Sequence, residues 1–306
     1  MSVRLEIALP CWFIMGEGEV LYFGYGSNLD WSDWKSWCER KHLPHDGLIE
    51  KGPCWLPNYT MKFHYFSAGR EGGAADIVEN GRGHAVPGVL FSMDEGALAA
   101  MDRKEGTRAG VYARRTVNVA LPDGSFTEAL TYCVTPERRE DHFIQPTKHY
   151  ISLIEKGLRK RRLPIGELKN AIENFAPSFP LEKIFVYGTL MQGERRSSTI
   201  EQICIGEGQS ATVKGDLADL GAFPGMIEGE GTIKGELYHL DQVYTALQTL
   251  DSIEGFYGYG SEDSLYNRTI VEVQTDDGFE WAWTYMYNER NGSLNPKIES
   301  GDWRNR

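Results

Sequence analysis

An aromatic and apolar run that ends in Tyr-Gly and a hydroxyl residue occurs twice in the chain, at residues 21–29 and 184–191. Each run has the apolar character of a buried strand, and the glycine after its last tyrosine, Gly26 or Gly188, predicts a sharp turn. Consecutive backbone N–H groups after such a turn can converge on an anion. We therefore expect each copy to form a buried strand, followed either by a carboxylate-binding loop or by a tight turn that binds no ligand.

Helix-like and strand-like spacings alternate through the rest of the first half. Apolar residues at helical spacing predict helices at residues 28–40, 94–101, 146–160 and 167–175. Alternation and turn signals predict strands at residues 59–65 and 88–91 and a hairpin that turns at residues 123–124. Gly52, Pro53 and Pro57 predict a loop before residue 59. The glycine-rich residues 69–75 lack the lysine of a phosphate-binding loop and predict a second ordinary loop.

The second half repeats five landmarks of the first half in the same order. They are the Tyr-Gly loop at residues 25–27 and 187–189, an apolar strand at residues 88–91 and 234–238, an Asp-x-x-Glu-Gly helix end at residues 102–106 and 251–255, a Tyr-x-Arg motif at residues 112–114 and 266–268, and an Asp-Gly turn at residues 123–124 and 277–278. This order indicates an internal duplication. With a proline-rich linker at residues 176–180, we predict an N-terminal extension at residues 1–19, domains at residues 20–176 and 181–290, and a C-terminal tail at residues 291–306.

The composition excludes several classes of function. A formal net charge of −12 leaves no basic surplus for nucleic-acid phosphates. The five cysteines are scattered without a Cys-x-x-Cys pair, which is typical of reduced thiols and not of a disulfide framework or a zinc site. No apolar run is long enough to span a membrane, and the apolar residues 7–15 lack the cleavage site of a signal peptide. We expect a cytoplasmic protein without a nucleic-acid or membrane partner.

Each copy places a glutamate at the end of an apolar helix and directly before a glycine: Glu105 and Glu254. An isolated glutamate at a helix end is usually a solvated surface group. Here it recurs in both halves together with the Tyr-Gly loop, and a carboxylate in a partly apolar pocket has a raised pKa, which suits a general base near neutral pH. No histidine is shared by the two copies, and no Ser-His-Asp or metal-ligand spacing appears. The pattern indicates proton transfer on a substrate that brings its own carboxylate and its own nucleophile.

Together these motifs resemble those of the γ-glutamylcyclotransferases. In the first half the likeness covers residues 20–175 and rests on residues 25–29, residues 88–91, Asp102-x-x-Glu105-Gly106, Tyr112 and residues 146–150. The second half is similar to the shorter γ-glutamylamine cyclotransferase and AIG2-like branch at residues 186–190, Asp251-x-x-Glu254-Gly255 and Tyr266-x-Arg268. The resemblance implies an α+β fold with a small mixed β-barrel and flanking helices in each domain, a small-molecule γ-glutamyl substrate, and a reaction without a cofactor or metal.

In that family the loop after the tyrosine binds the glutamyl α-carboxylate through backbone amides. The glutamate takes a proton from the α-ammonium group, whose nitrogen attacks the γ-carbonyl, and returns it to the leaving amine, giving 5-oxoproline and a free amino acid or amine. An intramolecular attack mainly needs orientation and one acid/base. The resemblance implies that Glu105 and Glu254 are catalytic. It implies substrate binding by Tyr25, Gly26, Ser27, Asn28, Leu29, Tyr112 and Tyr150 in the first domain and by Tyr187, Gly188, Thr189, Leu190, Tyr266 and Arg268 in the second.

The second copy departs from the family pattern, and several functions stay open. It has no counterpart of residues 146–150, and Ser197 and Ser198 stand where a related domain offers a larger polar residue, so that its activity is undecided. Retention of both glutamates favours an enzyme. The alternatives are a non-catalytic module that binds a γ-glutamyl metabolite, a cyclotransferase that removes a γ-glutamyl protecting group from a specialised metabolite, and an amidase or peptide-tailoring enzyme on the same fold.

Overall fold

The computed structural model describes residues 19–174, 179–291 and 296–306. The first half contains strands β1 (Val20–Gly24), β2 (Leu48–Pro57), β3 (Tyr59–Lys62), β4 (Phe66–Ser67), β5 (Gly72–Gly73), β6 (Asp76–Glu79), β7 (Ala85–Met93), β8 (Tyr112–Ala120) and β9 (Phe126–Val134). Its helices are α1 (Trp31–Arg40), α2 (Glu95–Glu105), α3 (Lys148–Lys160) and α4 (Gly166–Glu173). The second half contains β10 (Lys183–Val186), α5 (Ser197–Ile203), β11 (Cys204–Asp219), β12 (Pro224–Leu240), α6 (Val243–Glu254), β13 (Tyr266–Thr275) and β14 (Gly278–Tyr287).

Each half forms a closed five-stranded barrel with the same strand order. The first barrel runs β1-β7-β2-β8-β9 and the second runs β10-β12-β11-β13-β14. A parallel pair closes each barrel, with Tyr22 opposite Leu130 in the first and Ile184 opposite Trp283 in the second. The other barrel pairs are antiparallel. The predicted α+β fold with two similar mixed barrels and flanking helices is therefore confirmed.

Equivalent side-chain bonds tie the first strand of each barrel to its last strand. Thr131 Oγ1 donates to Phe23 O at 2.9 Å, and Thr284 Oγ1 donates to Phe185 O at 3.0 Å. These threonines are fully buried, so each bond meets the hydrogen-bonding requirement of both the hydroxyl and the backbone carbonyl inside the core. The repetition extends the duplication from sequence motifs to core hydrogen bonds.

The prediction of a loop at Gly52, Pro53 and Pro57 is wrong, because these residues belong to strand β2. The register against β7 shifts at Gly52, whose φ of +146° marks a bulge. Pro53 follows this bulge and Pro57 ends the strand, and these are positions where a missing N–H group is tolerated. Between them the side chain of Trp55 is fully buried, so core packing decides the strand.

The two barrels contact each other directly. Trp55 and Trp281 meet edge to face with ring centroids 5.8 Å apart, and Arg162 pairs with Glu272 at 3.1 Å. Residues 296–306 pack on the second barrel, where the amide of Lys234 donates to Gly301 O at 2.8 Å.

Parts of the predicted domain plan lie beyond the described residues. Residues 1–18 of the predicted extension and residues 175–178, where the predicted linker begins, lie outside them. The domain boundaries and the cytoplasmic location stay predictions. Within the described residues, no helix has both the length and the apolar character needed to cross a bilayer.

Candidate active sites

The Tyr-Gly loop of the first barrel lines a cavity of about 400 Å³. After Gly26 the chain makes a 3-10 turn, Ser27–Leu29, in which the amide of Leu29 donates to Gly26 O at 3.1 Å. The amides of Ser27 and Asn28 come before the first bond of this turn and have no acceptor inside it. They are the backbone donors available to a carboxylate at this place.

Glu105 lies against this loop. It is the last residue of α2, and Gly106 ends the helix in the left-handed conformation with φ of +66°, which explains the Glu-Gly motif. The Nδ2 atom of Asn28 donates to Glu105 Oε1 at 3.0 Å and approaches the Tyr22 hydroxyl at 2.9 Å. One asparagine thus connects the loop to the carboxylate and fixes its orientation.

Two tyrosines of the cavity form hydrogen bonds to the backbone of Ala75, one at its carbonyl and one at its amide. Tyr112 donates its hydroxyl proton to Ala75 O at 2.8 Å, whereas the Ala75 amide donates to the Tyr150 hydroxyl at 3.2 Å. Burial raises the pKa of Tyr112 well above its usual range and that of Tyr150 to about 12, so both hydroxyls are protonated at neutral pH. The proton of Tyr112 is already used, and the proton of Tyr150 is available to a substrate.

Two of the cationic residues that line this cavity, Arg70 and Lys104, contact the loop and are not among the predicted site residues. Arg70 donates to Ser27 Oγ at 2.8 Å and pairs with Asp33 at 2.6 Å, and its guanidinium lies 5.3 Å from the Tyr150 ring centroid. Lys104 donates to Asn28 Oδ1 and to Ser27 Oγ, and burial lowers its pKa although the charge of Glu105 opposes this. Lys104 directly precedes the predicted acid, which is a signal that could have identified it. Arg70 and Ser27 are 43 positions apart in the chain, so no local motif connects them.

The second barrel has a smaller cavity of about 100 Å³ at the equivalent place. Its walls include Tyr187, Gly188, Thr189, Leu190, Arg196, Glu254, Tyr266 and Tyr285. Gly188 is required by a close approach, since a Cβ atom there would lie 2.6 Å from Pro224 Cγ. Glu254 ends α6, and Gly255 takes the left-handed conformation with φ of +63°, as Gly106 does.

The surroundings of Glu254 are more apolar than those of Glu105. In the motif alignment Leu190 replaces Asn28 and Ile253 replaces Lys104. Burial raises the pKa of Glu254 to about 7, although the positive charge of Arg196 opposes this. The second site therefore holds a carboxyl group that gains and loses its proton near neutral pH.

A matching network supports the acid in each barrel. In the first, Tyr132 donates to Asp102 Oδ1 at 2.8 Å, and Arg114 Nε donates to the same oxygen at 2.8 Å. In the second, Arg268 Nη1 donates to Asp251 Oδ1 at 2.8 Å and to Asp251 Oδ2 at 2.6 Å, and the Tyr285 hydroxyl donates to Asp251 Oδ1 at 2.7 Å. Each aspartate stands three residues before its glutamate, so the network holds the end of the helix.

Two of the predicted substrate-binding residues lie outside the cavity walls. Leu29 does not line the first cavity; it is buried against α3, where a Cβ atom at Gly157 would lie 2.3 Å from Leu29 Cβ. Arg268 does not line the second cavity, because it is paired with Asp251 and only 1% exposed. A motif match fixes the residue type but not the direction in which its side chain points.

The hydroxyls of three other predicted residues have structural roles. Tyr25 donates to Tyr132 O at 2.6 Å, Tyr187 donates to Tyr285 O at 2.7 Å, and Tyr266 donates to Pro224 O at 2.5 Å. Their rings still line the cavities. The protons of these hydroxyls are therefore not free to bind a substrate.

Comparisons with known proteins agree with this geometry. Residues 184–305 match the family described as "Gamma-glutamyl cyclotransferase, AIG2-like", and residues 85–166 match the AIG2-like family. The chain is 35% identical over 126 residues to the γ-glutamylcyclotransferase family protein YtfP of Escherichia coli (strain K12), which covers 40% of this chain and 97% of that protein. It is 29% identical over 159 residues to the γ-glutamylcyclotransferase of Bos taurus, covering 50% of this chain and 78% of that protein. It is also 29% identical over 125 residues to the γ-L-glutamyl-butirosin B γ-glutamyl cyclotransferase of Niallia circulans, covering 40% of this chain and 76% of that protein. The chain thus belongs to the γ-glutamylcyclotransferase family and is a tandem enzyme of the cyclotransferase type.

Proposed function

We propose that the first barrel cyclises the γ-glutamyl group of a small amide to 5-oxoproline and releases an amino acid or amine. The observation that carries this proposal is the contact of Asn28 with Glu105, which holds a carboxylate directly beside a loop of backbone donors. Such a site offers one binding place for an anion and one acid/base next to it, and this cyclisation needs both.

Proton transfer by Glu105 can account for the whole reaction. The amides of Ser27 and Asn28 bind the α-carboxylate, and Glu105 takes one proton from the α-ammonium group. The amine nitrogen then forms a bond to the γ-carbon, and Glu105 returns its proton to the leaving nitrogen as the bond from the γ-carbon to that nitrogen breaks. The ring nitrogen gives up its second proton, through Glu105, to the released amine, which departs as an ammonium ion. The Tyr150 hydroxyl is the donor available to the oxygen on which negative charge develops. The attack is intramolecular, so orientation supplies much of the acceleration.

The charges of the two cavities suggest different leaving groups. Four cationic side chains line the first cavity: Arg40, Lys41, Arg70 and Lys104. Among the described residues that line the second, smaller cavity, Arg196 is the only cation. Cations favour an anionic ligand and an apolar wall favours an uncharged one. We therefore assign to the first barrel γ-glutamyl compounds whose leaving portion carries a carboxylate, and to the second γ-glutamyl amines without one.

Glutamine variants of the two acids test this assignment. With γ-glutamyl-alanine as substrate, we expect Glu105→Gln to lose 5-oxoproline formation and Glu254→Gln to keep it. With a γ-glutamyl alkylamine, we expect the opposite result, and the double variant should be inactive on both. Release of 5-oxoproline is measured by chromatography. If Glu254→Gln loses the dipeptide activity and Glu105→Gln keeps it, the two barrels have the reverse roles.

The second site should show a pH dependence set by Glu254. A general base must be ionised, and burial raises the pKa of this carboxyl to about 7. In the Glu105→Gln background, kcat/KM on a γ-glutamyl amine should rise about tenfold per pH unit below that pKa and level off above it. A rate profile from about pH 5 to about pH 9 checks this. A profile that falls as the pH rises through 7 would mean that the protonated acid is the active form.

A further inference from the structure

A side chain of the first barrel completes the network that supports the second site. Arg82 lies in the loop of residues 80–84 between β6 and β7, and its Nε donates to Asp251 Oδ2 at 2.6 Å. The Asp251 side chain is 5% exposed and stands three residues before Glu254 on α6. The other charged partner of this carboxylate, Arg268, comes from the second barrel itself. One carboxylate is therefore held from both barrels at once.

The 80–84 loop contacts α6 both in the first turn of the helix and in its last turn. Near the start of the helix, the guanidinium of Arg82 lies 5.3 Å from the ring centroid of Tyr244. At Gly83 a Cβ atom would lie 3.1 Å from Val243 Cγ1, so the backbone of the loop approaches the helix closely. Near the end of the helix, Arg82 reaches Asp251. This loop is thus placed to fix the helix that carries Glu254.

Bonds within the first barrel hold the 80–84 loop in this position. The amide of Asn58 donates to His84 O at 2.7 Å, and the amide of Asn80 donates to Asn58 O at 2.7 Å. The side chain of Asn58 also crosses to the second barrel, where its Oδ1 accepts from Arg268 Nη2 at 3.3 Å. The loop is therefore held by bonds within its own barrel in addition to its contacts with α6.

Among the described residues, the first site shows no such support from the other barrel. The side-chain partners of Asp102 are Arg114 and Tyr132, and within the described residues both come from the same barrel. The Asp102 side chain is also 26% exposed, whereas that of Asp251 is almost fully enclosed. Both barrels therefore have the same network, and in the second barrel Arg82 of the first barrel is an additional cationic partner of the aspartate.

The network reaches the second cavity through Tyr285. This tyrosine lines the cavity together with Glu254, and its hydroxyl donates to Asp251 Oδ1 at 2.7 Å. We infer that Arg82 is a positioning residue of the second site, through which the first barrel fixes the end of α6 and thereby the orientation of Glu254. This inference rests on the proposed catalytic function of Glu254. The first barrel would then be both an enzyme and a structural part of the second enzyme.

Kinetics of Arg82 variants in the Glu105→Gln background test this role. With a γ-glutamyl amine as substrate, Arg82→Ala should lower kcat by about tenfold or more with little change in KM, because a misplaced acid slows the reaction more than it weakens binding. Arg82→Lys keeps a cation and should recover most of the loss. Arg162→Ala is the matched control, because it removes another ion pair between the barrels, with Glu272 at 3.1 Å. That control should retain kcat.

Titration of the Glu254 carboxyl gives a readout that does not need turnover. The groups that act on Glu254 electrostatically are Arg196, Tyr187, Tyr266 and Tyr285. Asp251 adds a negative charge on the same helix. Removing the Arg82 cation leaves this charge less compensated, so the pKa of Glu254 should rise in Arg82→Ala and return in Arg82→Lys. Carbon-13 NMR of labelled glutamate follows this, with the signal assigned by its loss in Glu254→Gln.

The two measurements separate the inference from the proposed function. If the Glu105→Gln protein shows no turnover that depends on Glu254, the proposed activity of the second barrel is wrong, and the NMR titration still decides whether Arg82 acts on Glu254. If Arg82→Ala, shown to be folded by its circular dichroism, leaves both kcat and the Glu254 titration unchanged, the positioning role is wrong. An equal effect of Arg162→Ala would also overturn it, because the loss would then come from the interface in general.

Discussion

Replacing Glu105 with glutamine is expected to lower the turnover of γ-glutamyl dipeptides by about 10²–10⁴-fold, the contribution that a general acid/base typically makes. The amide keeps the shape of the side chain and can still accept from Asn28 Nδ2, but it cannot take the proton of the α-ammonium group. We therefore expect kcat to fall while the affinity for substrate stays close to that of the wild type. Initial rates of 5-oxoproline release and isothermal titration with substrate measure the two quantities.

Glu95→Gln is the matched control for this substitution. Glu95 is an exposed acid in the first turn of the same helix, so the change removes the same charge far from the cavity. The control should retain wild-type turnover. Near-wild-type activity of Glu105→Gln would remove Glu105 from the mechanism.

Asp251→Asn should destabilise the protein by about 3–5 kcal/mol, the usual cost of removing one partner of a buried ion pair. The substitution leaves the guanidinium of Arg268, which is only 1% exposed, without its counter-charge, and it also removes the partner of Arg82. Urea denaturation followed by tryptophan fluorescence measures the change in the free energy of unfolding.

The equivalent substitution in the first barrel, Asp102→Asn, should cost much less. The side chains of Asp102 and Arg114 are 26% and 31% exposed, so water compensates part of the lost interaction. For exposed pairs the cost is about 1 kcal/mol or less, and this partly exposed pair should lie well below the buried one. Equal losses in the two barrels would contradict the asymmetry of the two networks.

The duplication and the position of the two acids could be predicted because their signals are local. The Tyr-Gly turn, the Asp-x-x-Glu-Gly helix end and the Asp-Gly hairpin each occupy a few consecutive residues, and each reflects a backbone conformation that its glycine permits. Their repetition in order then gives the two barrels. Because the acid recurs together with the loop in both halves, the sequence also predicts that Glu105 lies near the loop.

The residues that sequence reasoning missed depend on contacts between distant parts of the chain. Gly52 and its neighbouring prolines are turn signals locally, but pairing with β7 makes them a strand. Arg70 reaches Ser27 from 43 positions away, and Arg82 reaches Asp251 from 169 positions away. Contacts between residues so far apart in the chain produce no periodic pattern in the sequence. Side-chain direction is likewise decided by packing, which is why Leu29 and Arg268 match the motifs but lie outside the cavity walls.

Oxygen-18 labelling of the product tests the central claim, cyclisation by a γ-glutamylcyclotransferase, most directly. The wild-type protein is incubated with γ-glutamyl-alanine in H₂¹⁸O, and the products are analysed by mass spectrometry. Intramolecular attack by the α-nitrogen predicts 5-oxoproline that carries no label, formed in equal amount to free alanine. Glutamate labelled at its γ-carboxylate would instead show hydrolysis by water and an amidase, and binding of the substrate without any product would show a non-catalytic module.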